Sequence, residues 1–171
     1  MITIYSTGKN FYETLKTALK SDGTPDQVMI LDAKDVCFDF DDNGNLVLDV
    51  KQVAKNFELQ VMFHKGEGVK PIEKPVYRFS LNYHPDDIIS NILMLEDAKE
   101  FLNEIGFSNT QYVIVSRRDK SHPYVKIIAN IIDNNGERIS TYRLINKIHQ
   151  VAAIITKSRG YIWGEKQNIE K

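Results

Sequence analysis

The chain has one cysteine, Cys37, among 171 residues, and that scarcity excludes an internal disulfide and a cysteine-rich zinc site, leaving no sign of an oxidising compartment. No apolar run is long enough to span a bilayer, and the opening MITIYSTGKNFYETL lacks the basic stretch and apolar segment of an export signal. These absences lead us to expect a cytoplasmic protein with no membrane association. A basic excess is missing too: the net charge is −1 and the pI about 6.4, whereas phosphate-binding proteins commonly carry a surplus of Lys and Arg. There is no internal repeat, low-complexity tract or linker. With 42% hydrophobic and 26% charged residues, the length suffices for one substantial core. We expect a single domain over residues 1–171, with 164–171 as a flexible tail.

What charge there is lies unevenly. Acids collect between Asp32 and Asp49, while Arg117, Arg118, Lys120, Lys126, Arg138, Arg143, Lys147, Lys157 and Arg159 crowd the C-terminal part. The asymmetry points to an anionic partner for that half, although a solvated face reads the same way.

Hydrophobic spacing outlines the elements. Phe11, Leu15 and Leu19 recur four apart in Asn10 to Leu19 and predict a short helix stopping before Ser21-Asp22-Gly23. Gln27 to Leu31 suits a short strand. Asp41-Asp42-Asn43-Gly44-Asn45 forms a turn, and from Asp49 as N-cap, Val50, Val53, Ala54, Phe57 and Val61 predict a helix to about Phe63, ended by Gly66 and Gly68. Pro75 to Asn82 reads as a strand closing at the turn His84-Pro85-Asp86-Asp87. Ile92, Leu95, Ala98, Phe101, Leu102 and Ile105 mark a helix from Asn91 to Ile105, terminated by Gly106. QYVIVS (111–116) and YVKIIANII (124–132) are strands flanking the charged loop RRDKSHP. Asn135-Gly136 then predicts a tight hairpin into a short strand, Glu137 to Ile139. A last helix, about Thr141 to Lys157, places Leu144, Ile145, Ile148, Val151, Ala152 and Ile155 on one face before Gly160. Strand pairs with helices between them argue α+β, with a largely antiparallel sheet and helices packed on it.

The run PVYRFSLNYHPDD, a helix ending in IGF, and then QYVIVSRRDKSHPYVKIIANIIDNNGERIS resembles the core of relaxases, the mobilisation nucleases of mobilisable elements such as conjugative plasmids. Pro85, Asp87, Gly106, Asp119, His122, Pro123, Asn130 and Gly136 stand where that pattern has them, and KNFELQ (55–60) and GKNF near the start extend the likeness over nearly the whole chain. The resemblance implies a histidine-hydrophobic-histidine nuclease that nicks DNA. Three imidazoles hold a divalent metal against the scissile phosphate, and a tyrosine near the N-terminus attacks and becomes joined to the 5′ end. In this sequence Tyr124 and Lys126 fall at the i, i+2 ligand positions, and Ser116 or Arg117 falls at the third. None suits a divalent cation. The register from Gly8 and Phe11 puts Thr17 at the nucleophile, leaving Tyr5 and Tyr12 as the nearby phenols.

The scaffold signals therefore persist without the ligand set, and the expectation is a degenerate relaxase that needs no cofactor. Arg117, Arg118, Lys120, His122, Lys126 and Arg143 are its candidate single-stranded DNA contacts, and other mobilisation proteins its candidate partners. An alternative assembles Mg²⁺ or Mn²⁺ from His84, Asp87, Asp119 and His122, with Tyr12 attacking. A third reading is an accessory interaction domain, signalled by an exposed apolar helix face.

Overall fold

A computed structural model describes residues 1–21, 27–64, 70–118 and 121–163. Asp22, Gly23, Gly66, Gly68, Asp119, Lys120 and the 164–171 segment, all of which carried expectations, lie outside the described residues. The elements run β1 (Ile2–Gly8), α1 (Phe11–Leu19), β2 (Val28–Lys34), β3 (Asp39–Phe40), β4 (Leu46–Val47), α2 (Val50–Met62), β5 (Val76–Asn82), α3 (Asn91–Ile105), β6 (Thr110–Arg117), β7 (Tyr124–Asp133) and α4 (Leu144–Arg159). The main sheet has five strands in the order β1-β5-β7-β6-β2, and each neighbouring pair is antiparallel. This is the expected α+β architecture.

The central strand β7 is apolar on both faces because each is covered. On one face α1 and α2 set Phe11, Leu15, Val53 and Phe57 against Val76, Val113, Val115 and Ile128, and the Phe11 and Phe57 rings stack with centroids 4.7 Å apart. On the other, α3 and α4 bring Phe101, Leu102, Ile148 and Ile155 onto Phe79, Ile114, Ile127 and Ala129. Burying each such large side chain contributes roughly 1.5–3 kcal/mol.

Local chemistry sets the helix ends. Asn10, Asp49 and Ser90 accept from the backbone N–H groups of Glu13, Lys51 and Gln52, and Leu93, each cap contributing about 1 kcal/mol. Gly106 (φ 90°) and Gly160 (φ 71°) close α3 and α4 in the left-handed conformation. Buried side chains then tie layers together. Asp97 on α3 accepts from the Tyr83 and Tyr161 hydroxyls and the Arg159 guanidinium. Buried Asn130 donates to Phe57 O and to Gln111 Oε1, joining β7 to α2 and β6.

Several expectations are corrected. The strand β1 was not anticipated, and it forms one edge of the sheet. The strand Glu137 to Ile139 reduces to a single bridge, Ile132 to Arg138, because Asp133 Oδ1 takes the N–H groups of Asn135 and Glu137 and closes the turn itself. The last helix starts at Leu144 rather than Thr141, since Arg143 adopts φ 53°. The apolar stripes are narrower than predicted: Ile92 and Ile145 are 71% and 52% exposed. No described helix is long and apolar enough to cross a membrane.

Candidate nucleic-acid interface

Register decides which side chains meet at the N-terminal end of β7. Arg117 pairs with Tyr124, and Val115 with Lys126, across β6 and β7. Directly opposed residues project to the same face, as do residues two apart on one strand. Arg117, Tyr124 and Lys126 therefore share the face that carries α1 and α2. Ser116 pairs with Val125, which belongs to the opposite core, and its hydroxyl donates to Met29 O. Of the two residues left open at the third ligand position, Arg117 is the one on the right face.

Arg117 is buried, with 7% of its surface exposed. Its guanidinium donates to Ala18 O at 2.6 Å and Lys20 O at 3.1 Å. Those carbonyls end α1, where the helix dipole is negative and the last C=O groups lack intrahelical partners. A fixed cation thus holds the C-terminus of α1 to the sheet.

Beside it lies a cavity of about 480 Å³ between α1 and the sheet, lined by Ser6 and Gly8 of β1, Lys9, Glu13, Thr14 and Thr17 of the α1 region, Arg78 and Ser80 of β5, and Lys126 of β7. Three of these residues are cationic and one is acidic. Register builds the cavity as well: Ser80 pairs with Lys126 and Ile4, and Arg78 with Ser6. Thr17, at the position where the resemblance expects a phenol, faces the same space as Lys126.

The other candidates are dispersed. Tyr5 stacks on Tyr77 and Phe79 in the core under α3 and α4, across the sheet from Lys126. Tyr12 is half-buried, with the Lys16 ammonium 5.7 Å from its ring centre, and is not among the residues lining the cavity. Arg118 reaches toward the start of α3 and donates to Ile89 O and Asn91 Oδ1. Arg143 lies at the start of α4 against the Tyr142 ring. His122 sits at the edge of the face, its Nε2 3.4 Å from Asn82 Oδ1 and its ring 5.9 Å from that of Tyr124. His84 and Asp87 form their predicted turn, in which Asp87 accepts from the His84 and Ile162 N–H groups. Among the described residues, no three His, Cys, Asp or Glu side chains gather as a metal site, so His84, Asp87 and His122 do not converge. Asp119 and Lys120 fall outside the described residues.

With this geometry in hand, a comparison with family models matches residues 31–161 to the relaxase family, described as MobA/VirD2-like, nuclease domain. The chain belongs to the relaxase family. Searches among curated proteins and solved structures give no match. The matched stretch begins inside β2, so β1 and α1, which supply Ser6, Gly8 and Thr17, precede it. A relaxase of the kind the resemblance implies needs three neutral imidazoles around a divalent ion. On the register that the resemblance implies, a guanidinium, a phenol and an ammonium would stand at those places, and two such cations repel a divalent ion. On that register the residues present do not fit the metal.

Lys9 and Arg78 escaped the sequence reading. In VYRFSLN the alternate positions after Val76, namely Arg78, Ser80 and Asn82, are polar, which marks that part of one face of β5 as a polar surface. Without β1, nothing in the sequence indicated that this face borders a cavity.

Proposed function

We propose that this relaxase-family chain is a DNA-binding module that holds single-stranded DNA without cutting it. The observation that carries the reading is Arg117. At a ligand position it is buried and committed to the carbonyls of Ala18 and Lys20, so the cation needed for cleavage is replaced by one that belongs to the protein. Thr17 points the same way. The tyrosine chemistry that the resemblance implies uses a phenol that attacks phosphorus and later leaves, and an aliphatic hydroxyl is a poorer leaving group.

Binding survives the loss of chemistry because phosphate recognition needs only charge and donors. Lys126, Arg78 and Lys9 supply the charge, and the hydroxyls of Ser6 and Thr17 can donate to phosphate oxygens. His122, beside Asn82 and Tyr124, and Lys120 are further contacts of this proposal. Arg118 and Arg143 take part where the strand wraps to the other layer. The setting we propose is the cytoplasm, beside other mobilisation proteins, with no cofactor.

The test incubates the protein with a supercoiled plasmid carrying the cognate mobilisation region and Mg²⁺ or Mn²⁺. No covalent protein-DNA adduct is expected. Single-stranded DNA should be retained at low salt, with log K falling against log salt with a slope of about −2 for three phosphate contacts. A covalent nick refutes the loss of cleavage, and absence of retention at low salt refutes the binding.

A further inference from the structure

At the far end of β6 and β7 is a second feature that DNA binding does not use. Residues 124 to 133 of β7 span roughly 30 Å, so this end is well separated from Lys126. A groove of about 750 Å³ runs there between α2 and the segment leading into the β3–β4 hairpin, with Val36, Phe38, Leu59 and Phe63 in its apolar lining. Phe38 is 48% exposed, Leu59 49% and Phe63 70%. Phe40, 60% exposed, packs edge-on against Phe38 with ring centres 5.6 Å apart and extends the patch outward. Aromatic groups left in water at this density mark an interaction surface.

The walls are built rather than loose. The Gln111 amide donates to Asp35 O and Asn56 O, the Cys37 N–H donates to Asn56 Oδ1, and the Asn134 amide donates to Asp35 Oδ2 at 2.7 Å. The groove is therefore largely formed before anything occupies it.

Its charge selects the occupant. Asp35 and Asp133 line it, and no Lys, Arg or His is among the lining residues described. The aromatics lie in a stretch that carries Asp32, Asp35, Asp39, Asp41, Asp42 and Asp49, with Lys34 as its sole cation. Such a surface repels both a nucleic-acid backbone and an anionic lipid face. We infer that this groove docks a basic amphipathic segment of a partner protein, its apolar side on Phe38, Leu59 and Phe63 and its basic side toward Asp35 and Asp133. The inference is independent of the DNA-binding reading, since the two sites share no residue.

The test uses the full chain and two synthetic probes: a leucine-lysine amphipathic helical peptide and its leucine-glutamate counterpart. Fluorescence anisotropy should detect saturable binding of the basic peptide that weakens with salt, and occupancy should slow the reaction of Cys37, which lines the groove, with a small thiol reagent. Leu59→Ser and Phe63→Ser, both exposed and therefore harmless to folding, should each weaken binding about tenfold with unchanged thermal unfolding. Asp35→Asn with Asp39→Asn should flatten the salt dependence. The proposal is overturned if the basic peptide does not bind, if the acidic peptide binds equally well, or if the serine variants bind as wild type. Self-association that protects Cys37 without peptide overturns it in favour of a second copy.

Discussion

Replacing Arg117 with alanine tests the claim that this side chain pins the C-terminus of α1 to the sheet. The side chain is buried and donates to the carbonyls of Ala18 and Lys20 at 2.6 and 3.1 Å. Each charge-assisted hydrogen bond contributes about 1.5 kcal/mol net, and a cation at a partly buried helix C-terminus adds about 1 kcal/mol. The sum is roughly 4 kcal/mol, which lowers the unfolding midpoint of a chain of this size by about 10 °C. Urea unfolding followed by circular dichroism gives the free energy. Hydrogen exchange shows where the loss falls, with amides in the last turn of α1 expected to lose protection first. Arg117→Met keeps most of the stem volume and should recover only the packing part. Arg117→Lys should recover part of the charge contribution, because an ammonium lacks the planar fork that spans both carbonyls. A loss below about 1 kcal/mol for Arg117→Ala would refute the reasoning, since the carbonyls would then be equally well served by water.

Other outcomes follow from the same geometry. Combining Arg117→His, Tyr124→His and Lys126→His should create calorimetrically measurable Mn²⁺ or Co²⁺ binding that the parent chain lacks; a triple variant that binds no metal would show that the three positions do not converge. Alkaline stability should also fall in a defined window. Burial first, then the Asp32 carboxylate, push the Tyr112 hydroxyl up to about 12, and burial together with Asp97 raises Tyr83 and Tyr161. A raised phenol favours the protonated folded state, so its contribution is complete below about pH 10, where the unfolded phenol titrates. It is lost as pH rises through the folded value. For Tyr112, denaturant titrations should show that decline between about pH 10 and 12, with a shallower slope in Tyr112→Phe; an unchanged slope would remove Tyr112 from the account.

Much of this fold is written in local signals. The 3.6-residue spacing of Phe11 and Leu15, or of Ala98, Phe101, Leu102 and Ile105, marks a buried helix face whatever it packs against. Asn10, Asp49, Ser90, Gly106 and Gly160 act within one turn of their own positions. The resemblance to relaxases could be read for the same reason, as an order of strands, turns and helices along the chain. Ile92 and Ile145 were misplaced because periodicity locates the centre of a stripe better than its borders, which depend on the width of the neighbouring element.

The site needed the tertiary structure. That Tyr124 and Lys126 share a face follows from a strand's two-residue period and was legible in the sequence. The choice of Arg117 over Ser116 was not, because it depends on the pairing of β6 with β7, and a shift of one residue would exchange the faces. The partners of Arg117 lie 99 and 97 residues away along the chain, beyond the reach of any spacing rule. Composition and periodicity thus determined the four helices and the strands β2, β5, β6 and β7, since those preferences act within a few residues, while β1 and the first residue of α4 were settled by their neighbours in space. Only the packing of α1 and β1 against the sheet decided that Lys9, Thr17, Arg78 and Lys126 border one cavity, because that proximity is a property of assembled layers and of no single segment.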